Sequence, residues 1–219
     1  MSRPLTWKDA FAAWFVAWVG ALVIGIILLP LARRGPFPAL ATYGAHAWLF
    51  AVPMFWYFGL GRRFPVGAIR WRELRPWAWS WLAVAAVILG SAPFIHGGVR
   101  QSWLVMAQSL LMATVLVGPT EEFLSRGLVQ TGLNNSITWA LQVRSVQVRG
   151  GTILASVLFG LAHLANLFAN PIGAVLPQVA GATFIGLVIG LLYDRYPNLW
   201  GASILHDVID GLQAILVYV

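Results

Sequence analysis

The sequence predicts an all-α bundle of transmembrane helices, and three observations lead to that prediction. Of the 219 residues, 59% are hydrophobic and only 10% are charged, whereas about a quarter of the residues in a soluble domain are charged. Apolar runs of about 18 residues or more, long enough to cross a bilayer as helix, recur along the chain. These runs lack the alternation of polar and apolar residues that membrane barrel strands show. We therefore expect a single integral membrane domain over residues 1–219.

Seven spans are predicted, each close to the roughly 20 residues that cross about 30 Å of hydrocarbon. They cover residues 9–32, 38–60, 77–95, 102–118, 151–169, 174–194 and 198–218. The segment 119–134 either continues the fourth span or re-enters the membrane as an eighth, and 135–149 is a polar, arginine-bearing connection. The first span is longer than the ~7–15 apolar residues of a signal peptide, so we expect it to be retained, with a cleaved signal as the alternative.

The distribution of basic residues predicts the orientation in the membrane. Alternating the spans across the bilayer puts ten basic residues on one side and three on the other. The ten are Arg3, Lys8, Arg62, Arg63, Arg70, Arg72, Arg75, Arg144, Arg149 and Arg195, and the three are Arg33, Arg34 and Arg100. This bias predicts a cytoplasmic N-terminus and, with seven spans, an external C-terminus. For a prokaryotic protein the membrane would be the cytoplasmic one.

The net charge of +7 and the absence of cysteine limit the classes of function. A basic soluble protein would suggest nucleic-acid binding, but these arginines lie in short loops between apolar spans. The expected partner is therefore the lipid bilayer, and nucleic acid is not expected. Without cysteine the chain has no disulfide, no thiolate nucleophile and no cysteine-ligated metal. In the sixth span, Gly186 and Gly190 have the spacing that permits close helix packing.

Four of the seven acidic residues lie beside a histidine or an arginine inside predicted membrane helices. Such groups are costly in hydrocarbon and usually mark a functional site. In the segment PTEEFLSRG, Glu122 and Arg126 are four residues apart, so they share a helix face and are expected to pair. Glu121 lies roughly 140° from Arg126 around the helix and has no local partner. An unpaired and partly desolvated carboxylate suits a general base near neutral pH.

An alternative interpretation of the same segment is structural. Pro119 and Thr120 followed by two acidic residues also resemble a helix start, with Thr120 as the N-cap. Acidic side chains in a first turn interact favourably with the helix dipole. In that case Glu121 and Glu122 would stabilise a helix end and carry no chemistry.

Two further segments carry histidine. In LFGLAHLAN, His163 has Phe159 one turn before it and Asn166 three residues after it. In LHDVIDG, His206 and Asp210 share a helix face, whereas Asp207 points about 100° away and is expected to act as a supporting group or a cap. Taken alone, His163 would be a hydrogen-bonded packing residue and the His206–Asp210 pair a structural ion pair. Together, the three segments predict one buried polar cavity, because intramembrane polar residues face the bundle interior and pair with one another.

The ordered motifs over residues 115–215 resemble those of the CAAX-protease and bacteriocin-processing (CPBP, or Abi) family of intramembrane proteases. The motifs are E-E-x-x-x-R at 121–126, F-x-x-x-H at 159–163 and H-x-x-x-D at 206–210. The resemblance implies that Glu121 and His163 activate a water and that His206 and Asp210 stabilise the oxyanion. It implies supporting roles for the remaining motif residues Glu122, Arg126 and Phe159, and we add Asn166 to this set.

The chain departs from the family pattern at two positions. The CAAX endopeptidases have asparagine where this chain has Asp210, and an ionised carboxylate cannot donate a hydrogen bond to an oxyanion. Asp210 would then orient His206, bind a metal or be protonated. The residue before Arg126 is often aromatic in the family and is Ser125 here, which alters the wall of the pocket.

Three functional hypotheses follow, and the first is hydrolysis of a peptide bond in a membrane-associated or lipidated peptide or protein. Within it, zinc is an alternative to a metal-free glutamate mechanism, with Glu121, His163, His206 and Asp210 as candidate ligands. The second hypothesis is a non-catalytic scaffold or immunity protein with the same polar cavity. The third is an ion or proton transporter that uses the buried carboxylates as a relay.

Overall fold

The computed structural model describes residues 3–35, 37, 39–91 and 102–218, and within them the chain forms seven helices and one β-hairpin. The helices are α1 Trp7–Arg34, α2 Leu40–Met54, α3 Trp71–Ser91, α4 Trp103–Asn134, α5 Gly150–Ala162, α6 Ile172–Arg195 and α7 Leu199–Tyr218. A π-helical turn, Phe55–Gly59, prolongs α2, and a 3₁₀ segment, His163–Phe168, prolongs α5. The strands are β1 Ala140–Val143 and β2 Val146–Arg149.

The structure confirms a helical integral membrane protein. Among the described residues, four helices are long and apolar enough to cross a bilayer, namely Trp7–Arg34, Trp103–Asn134, Gly150–Phe168 and Ile172–Arg195. The third helix begins at Trp71, six positions before the predicted span. Some residues of the predicted second and third spans and of the connection after the third lie outside the described residues, namely residue 38, residues 92–95 and Arg100.

Helix α4 resolves the ambiguity at residues 119–134. The helix is continuous from Trp103 to Asn134, so this segment continues the fourth span and does not form a separate one. Because Thr120 lies inside the helix and its hydroxyl donates to the carbonyl of Val117 at 2.9 Å, the N-cap interpretation is wrong. Two π-helical stretches, Met112–Leu116 and Phe123–Gln130, flank the two glutamates. Such wide turns occur frequently at functional sites.

The polar connection 135–149 contains a short antiparallel hairpin, which the sequence analysis did not anticipate and which leaves the expected all-α fold class standing. Ala140 pairs with Arg149 and Val143 with Val146 across a two-residue turn. The segment has β-branched residues at alternate positions, Val146 and Val148 among them, which favours strand over helix.

The N-terminus and three of the connections between helices lie at one end of the bundle. Asn135, after α4, donates to the carbonyl of Leu5 at 3.2 Å, and Arg62, between α2 and α3, donates to the carbonyl of Pro4 at 2.9 Å. At the start of α7 the amide of Leu199 donates to the carbonyl of Val66 at 2.9 Å. Successive helices therefore run in alternating directions, and the connections that carry most of the basic residues share one end.

The first helix shows how the bundle packs without a water-driven hydrophobic effect. Its buried side chains are alanines at one-turn spacing, Ala10, Ala13, Ala17 and Ala21, whereas Phe15, Ile26 and Ile27 on other faces are more than half exposed. Small residues allow close approach between membrane helices, and large apolar ones face lipid. Helix α1 packs against both α2 and α4, and a Cβ atom on Gly132 of α4 would lie 3.1 Å from Cβ of Ala10.

Candidate active site

The predicted catalytic side chains line one cavity of about 340 Å³. Glu121 comes from α4, His163 from the end of α5, and His206 and Asp210 from α7. Phe159 lies in the same wall, and α6 closes the opposite side with residues such as Gln178 and Ile185. Three helix segments that are distant in sequence therefore present their polar residues to a common space.

Glu121 is almost fully buried, with 7% of its surface exposed. Its Oε1 lies 3.4 Å from Nε2 of His46, and its Oε2 lies 4.0 Å from Nε2 of His206. The Oε2 atom is buried and has no hydrogen-bond partner among the described residues. A buried acceptor without a partner is uncommon, because leaving it unpaired costs roughly 1–3 kcal/mol. One oxygen of this carboxylate is therefore held, and the other is available.

His46 is a member of the site that the sequence analysis missed. It lies on α2, its Nδ1 is 3.0 Å from the carbonyl oxygen of Thr42, and its Nε2 faces Glu121. A carbonyl oxygen can only accept, so Nδ1 carries a hydrogen and donates to it. No motif surrounds this residue, and local spacing cannot connect it to α4. The available signal was a histidine inside a predicted span, 38–60, where an ionisable residue is costly.

Glu122 joins two of the other site residues. Its Oε2 accepts from Nε of Arg126 at 2.8 Å, as the four-residue spacing predicts, and both side chains are fully buried. Its Oε1 lies 2.7 Å from Nδ1 of His206. A carboxylate that accepts a hydrogen bond from an arginine stays ionised. An ionised carboxylate can only accept, so Nδ1 of His206 is the donor in this contact. Glu122 thus fixes the ring of His206 from a neighbouring helix.

Arg126 occupies a space that two glycines leave open. Its guanidinium lies 5.3 Å from the centre of the Phe159 ring, and Nη1 donates to Oε1 of Gln130 at 3.4 Å. A Cβ atom on Gly186 would lie 3.3 Å from Nη2 of Arg126, and one on Gly190 would lie 3.4 Å from Nη1. The predicted close-packing glycines on α6 therefore make room for a buried charged side chain as well as for a helix.

A second buried network begins where the first ends, and the sequence analysis did not anticipate it. Nε2 of Gln130 donates to Oδ1 of Asp194 at 3.0 Å, and Nδ2 of Asn134 donates to the same oxygen at 2.9 Å. The hydroxyl of Thr152 donates to the other oxygen of Asp194. Hydrogen bonds thus run without a break from His206 through Glu122, Arg126 and Gln130 to Asp194, linking α7, α4 and α6.

The second motif is placed partly as predicted. His163 lines the cavity. Its Nδ1 lies 3.0 Å from the carbonyl oxygen of Phe159, so Nε2 is the ring nitrogen that this hydrogen bond does not use. The ring of Phe159 meets both His163 and His206 edge to face, at 5.2 and 5.8 Å between ring centres. Asn166 is not part of the cavity lining and donates to Oε1 of Gln178 at 2.8 Å. Asn166 is therefore bonded to α6, a contact between helices that its spacing from His163 does not reveal.

The third motif separates its two aspartates as the spacing predicts. Oδ2 of Asp210 lies 3.4 Å from Nε2 of His206. Asp207 points away and accepts from the backbone N–H of Gly118 at 2.8 Å. Gly118 lies three residues before Glu121, next to Pro119, where α4 passes close to α7. Asp207 therefore supports the helix segment that carries Glu121.

The candidate zinc ligands Glu121, His163, His206 and Asp210 all line the cavity. Within the part of the chain that the structure describes, no three histidine, aspartate or glutamate side chains are grouped so that they could hold one ion. A structural or catalytic zinc site needs at least three such protein ligands at about 2.0–2.2 Å. The carboxylates are instead paired with His46, Arg126 and His206.

Comparison with known proteins identifies the family of the chain. A model of the family described as Type II CAAX prenyl endopeptidase Rce1-like matches residues 101–212, which is just over half of the chain. The match includes all three motifs and excludes α1, α2 and His46. Neither curated proteins nor solved structures give a match to this chain. The chain belongs to the Rce1-like type II CAAX prenyl endopeptidase family, which is a family of proteases.

Proposed function

We propose that this protein is an intramembrane endopeptidase in which Glu121 and His163 activate a water and His206 stabilises the oxyanion. The observation that carries the proposal is the buried, unpartnered Oε2 of Glu121 beside a cavity lined by both imidazoles. A water in this position would complete the hydrogen bonding of Glu121 and would be held for attack on a carbonyl carbon.

The proposed reaction uses Glu121 for two successive proton transfers. Glu121 takes a proton from the water, and the oxygen attacks the scissile carbonyl carbon to form a tetrahedral intermediate. The proton held by Glu121 then passes to the leaving nitrogen as the carbon–nitrogen bond breaks, which regenerates the carboxylate. His163 directs the second hydrogen of the water through its Nε2, because its Nδ1 is occupied by the carbonyl of Phe159.

Oxyanion stabilisation falls to Nε2 of His206. Three carboxylates, those of Glu121, Glu122 and Asp210, lie within 4.0 Å of this ring, and such surroundings favour the imidazolium form, in which both nitrogens donate. Nδ1 donates to Glu122, so Nε2 is directed into the cavity. A preorganised donor of this kind contributes about 3–4 kcal/mol to the transition state.

Asp210 acts through His206 in this proposal and does not donate to the oxyanion. Its carboxylate is an acceptor and lies beside Nε2 of His206, where it supports the positive charge of the ring. This assignment accounts for aspartate at a position where the CAAX endopeptidases carry asparagine.

We propose a substrate that reaches the site from the membrane, with an apolar or lipidated segment next to the cleaved bond. An apolar groove of about 420 Å³ between α3, α6 and α7 shares Gly181, Ile185, Ile209 and Gln213 with the cavity. Val84, Val87 and Phe184 form its outer part. An apolar chain in this groove would place the adjoining peptide at Glu121.

The test is cleavage by the purified full-length protein in proteoliposomes. A fluorogenic peptide with an isoprenylated cysteine and its unlipidated counterpart serve as probes, and mass spectrometry identifies the broken bond. We expect Glu121→Gln and His163→Ala to reduce the rate by about 10²- to 10⁴-fold. Asn170→Ala is the matched control, since Asn170 is an exposed polar residue just beyond the same segment, donates to the carbonyl of Asn166 and is not part of the cavity lining, and it should cleave at nearly the wild-type rate.

The outcomes separate the competing functions. Wild-type rates in Glu121→Gln and His163→Ala, with folding intact, would remove the catalytic assignment. A protein that cleaves neither peptide but keeps a binding phenotype in Glu121→Gln would instead be a scaffold. Proton uptake into the same liposomes that depends on Glu121 would indicate a transporter. Elemental analysis of the active protein, with a chelator control, tests the metal-free mechanism: stoichiometric zinc whose removal abolishes cleavage contradicts it.

A further inference from the structure

We propose that the β1–β2 hairpin is a lipid-surface anchor, with one aliphatic face lying in the boundary between headgroups and acyl chains of an anionic leaflet. This inference is independent of the cavity and of the proposed chemistry. It rests on the register of the hairpin, on its exposure and on where the chain places it.

The register divides the hairpin into two unlike faces. In an antiparallel pair, directly opposed residues share a face and successive residues alternate. The pairs Leu141–Val148 and Val143–Val146 therefore form one face, which is aliphatic throughout. The other face consists of Ala140, Gln142, Gln147 and Arg149.

The aliphatic face is open to the surroundings of the protein. Leu141 is 53% exposed, Val143 56% and Val146 47%. A two-stranded hairpin alone is marginally stable in water, and four aliphatic side chains on one of its faces make an aqueous position unfavourable. Something apolar is needed to cover this face.

The position of the hairpin identifies the bilayer as that cover. Strand β2 ends at Arg149, and α5, a candidate membrane span, begins at the next residue. Strand β1 begins six positions after α4 ends at Asn134. A four-residue strand is about 13 Å long at roughly 3.3 Å per residue, so no part of the hairpin can lie far from the membrane surface. A soluble partner would have to compete with lipid that is already adjacent.

The polar side chains give the hairpin its orientation. Arg149, on the polar face, donates to the carbonyl of Asn134 at 2.9 Å, which ties this face to the end of α4. Arg144 occupies the turn with a φ of 53°, a left-handed conformation in which glycine or asparagine is usual. The tip of the hairpin is thus cationic and exposed. Trp139, which is 53% exposed at the base of the hairpin, is of the residue type that concentrates at membrane interfaces.

A cationic tip beside an aliphatic face matches a leaflet with anionic headgroups. Basic residues next to a membrane span are attracted to such a leaflet. The same end of the bundle carries most of the other basic residues, so the hairpin extends an already cationic surface sideways over the lipid.

The test uses the natural absence of cysteine from the chain. Single cysteines placed one at a time in the full-length protein carry a nitroxide spin label, and accessibility is measured in liposomes against oxygen, which partitions into lipid, and an aqueous nickel chelate. Val146→Cys and Leu141→Cys report on the aliphatic face. Gln147→Cys and Gln142→Cys are their immediate neighbours on the polar face. Thermal stability of each labelled variant checks that the bundle is intact.

We expect the oxygen-to-nickel accessibility ratio to be severalfold higher at 141 and 146 than at 142 and 147 in vesicles containing phosphatidylglycerol. The difference in this ratio between the two faces should be smaller in pure phosphatidylcholine vesicles. It should also be smaller when the substitution Arg144→Gln is combined with each cysteine variant. Equal ratios on the two faces in phosphatidylglycerol vesicles would overturn the proposal. Shielding of 141 and 146 from both reagents, increasing with the protein-to-lipid ratio, would also overturn it, because it would identify a second copy of the chain as the cover.

Discussion

Nε2 of His46 lies 3.4 Å from Oε1 of Glu121 and connects a helix outside the family match to the first acidic residue of the first motif. The contact occupies one oxygen of the carboxylate, and the buried Oε2 has no hydrogen-bond partner among the described residues. The orientation of the proposed base therefore depends on α2, which packs against α1.

Replacing His46 should lower turnover more than substrate binding. Among the ionisable side chains of the described residues, only His46 lies within 3.5 Å of the Glu121 carboxylate, and His46→Leu removes this contact. Misplacement of a reacting group by about 1 Å lowers the rate on the order of a hundredfold. We expect kcat to fall by about 10- to 100-fold with KM nearly constant. His46→Gln, whose amide can still donate to Glu121, should recover part of the loss. Steady-state kinetics on the peptide substrate measure both constants.

Tyr43 provides the matched control on the same helix. Its hydroxyl donates to the carbonyl of Gln108 at 2.9 Å, which links α2 to α4 away from Glu121. Tyr43→Phe should lower the melting temperature slightly and leave kcat unchanged. If Tyr43→Phe and His46→Leu reduced kcat equally, the contribution of His46 would be general packing of α2.

Asp210 should tolerate asparagine better than an apolar residue. Asp210→Asn exchanges the carboxylate next to His206 for an amide that can donate to the oxyanion, so its kcat should stay within about tenfold of wild type. Asp210→Leu removes the support of the imidazolium and supplies no donor, and we expect a loss on the order of a hundredfold. Single-turnover cleavage rates compare the two variants. Equal losses would contradict the assigned role.

Gly190→Ala should destabilise the bundle. A Cβ atom at this position would lie 2.9 Å from Oε1 of Gln130 and 2.9 Å from Cγ2 of Thr152, and overpacking of this kind costs about 1–3 kcal/mol. Gly173→Ala on the same helix is the control, because nothing lies within 4 Å of its Cβ position. Thermal unfolding in detergent should separate the two variants, and identical melting temperatures would show that Gln130 yields without cost.

The contact between Asp207 and Gly118 predicts an effect on both stability and catalysis. Asp207→Leu leaves the Gly118 N–H without its acceptor, at a cost of about 1–3 kcal/mol, and loosens the turn of α4 that precedes Glu121. Asp207→Asn keeps an oxygen acceptor and should cost less. We expect the melting temperature and the cleavage rate to fall together in Asp207→Leu. A normal rate in a destabilised Asp207→Leu protein would separate the contact from the positioning of Glu121.

The parts of the site that could be predicted from the sequence are those set within one helix. Glu122 pairs with Arg126, and His206 approaches Asp210, because residues four apart share a helix face in any environment. The exclusion of Asp207 from the cavity follows from the same geometry. The convergence of the three segments was expected because intramembrane polar residues face the bundle interior, and their side chains line one cavity.

The remaining features depend on contacts between helices or on changes of backbone period. His46 and Asp194 have no local pattern that connects them to α4, and only the packing of α2 and α6 brings them there. Asn166 bonds to Gln178 of α6, and its spacing from His163 could not show that contact between helices. The hairpin was missed because the alternation of its short strands is brief and lies in an otherwise polar connection.

The polar side chains along α4, from Glu121 to Asn134, have a consequence for how the protein folds. From Glu121 to Asn134 the helix advances roughly 20 Å at about 1.5 Å per residue, two thirds of the thickness of a hydrocarbon layer. His46, the partner of Glu121, comes earlier in the chain, whereas Thr152, Asp194 and His206, which bond to Asn134, Gln130 and Glu122, come later. Helix α4 also has the lowest hydropathy of the four candidate spans. During synthesis most polar side chains of α4 therefore lack their partners until α5, α6 and α7 have been made. The hydrogen-bond network is complete only after α7 has formed, so the last helix completes the site.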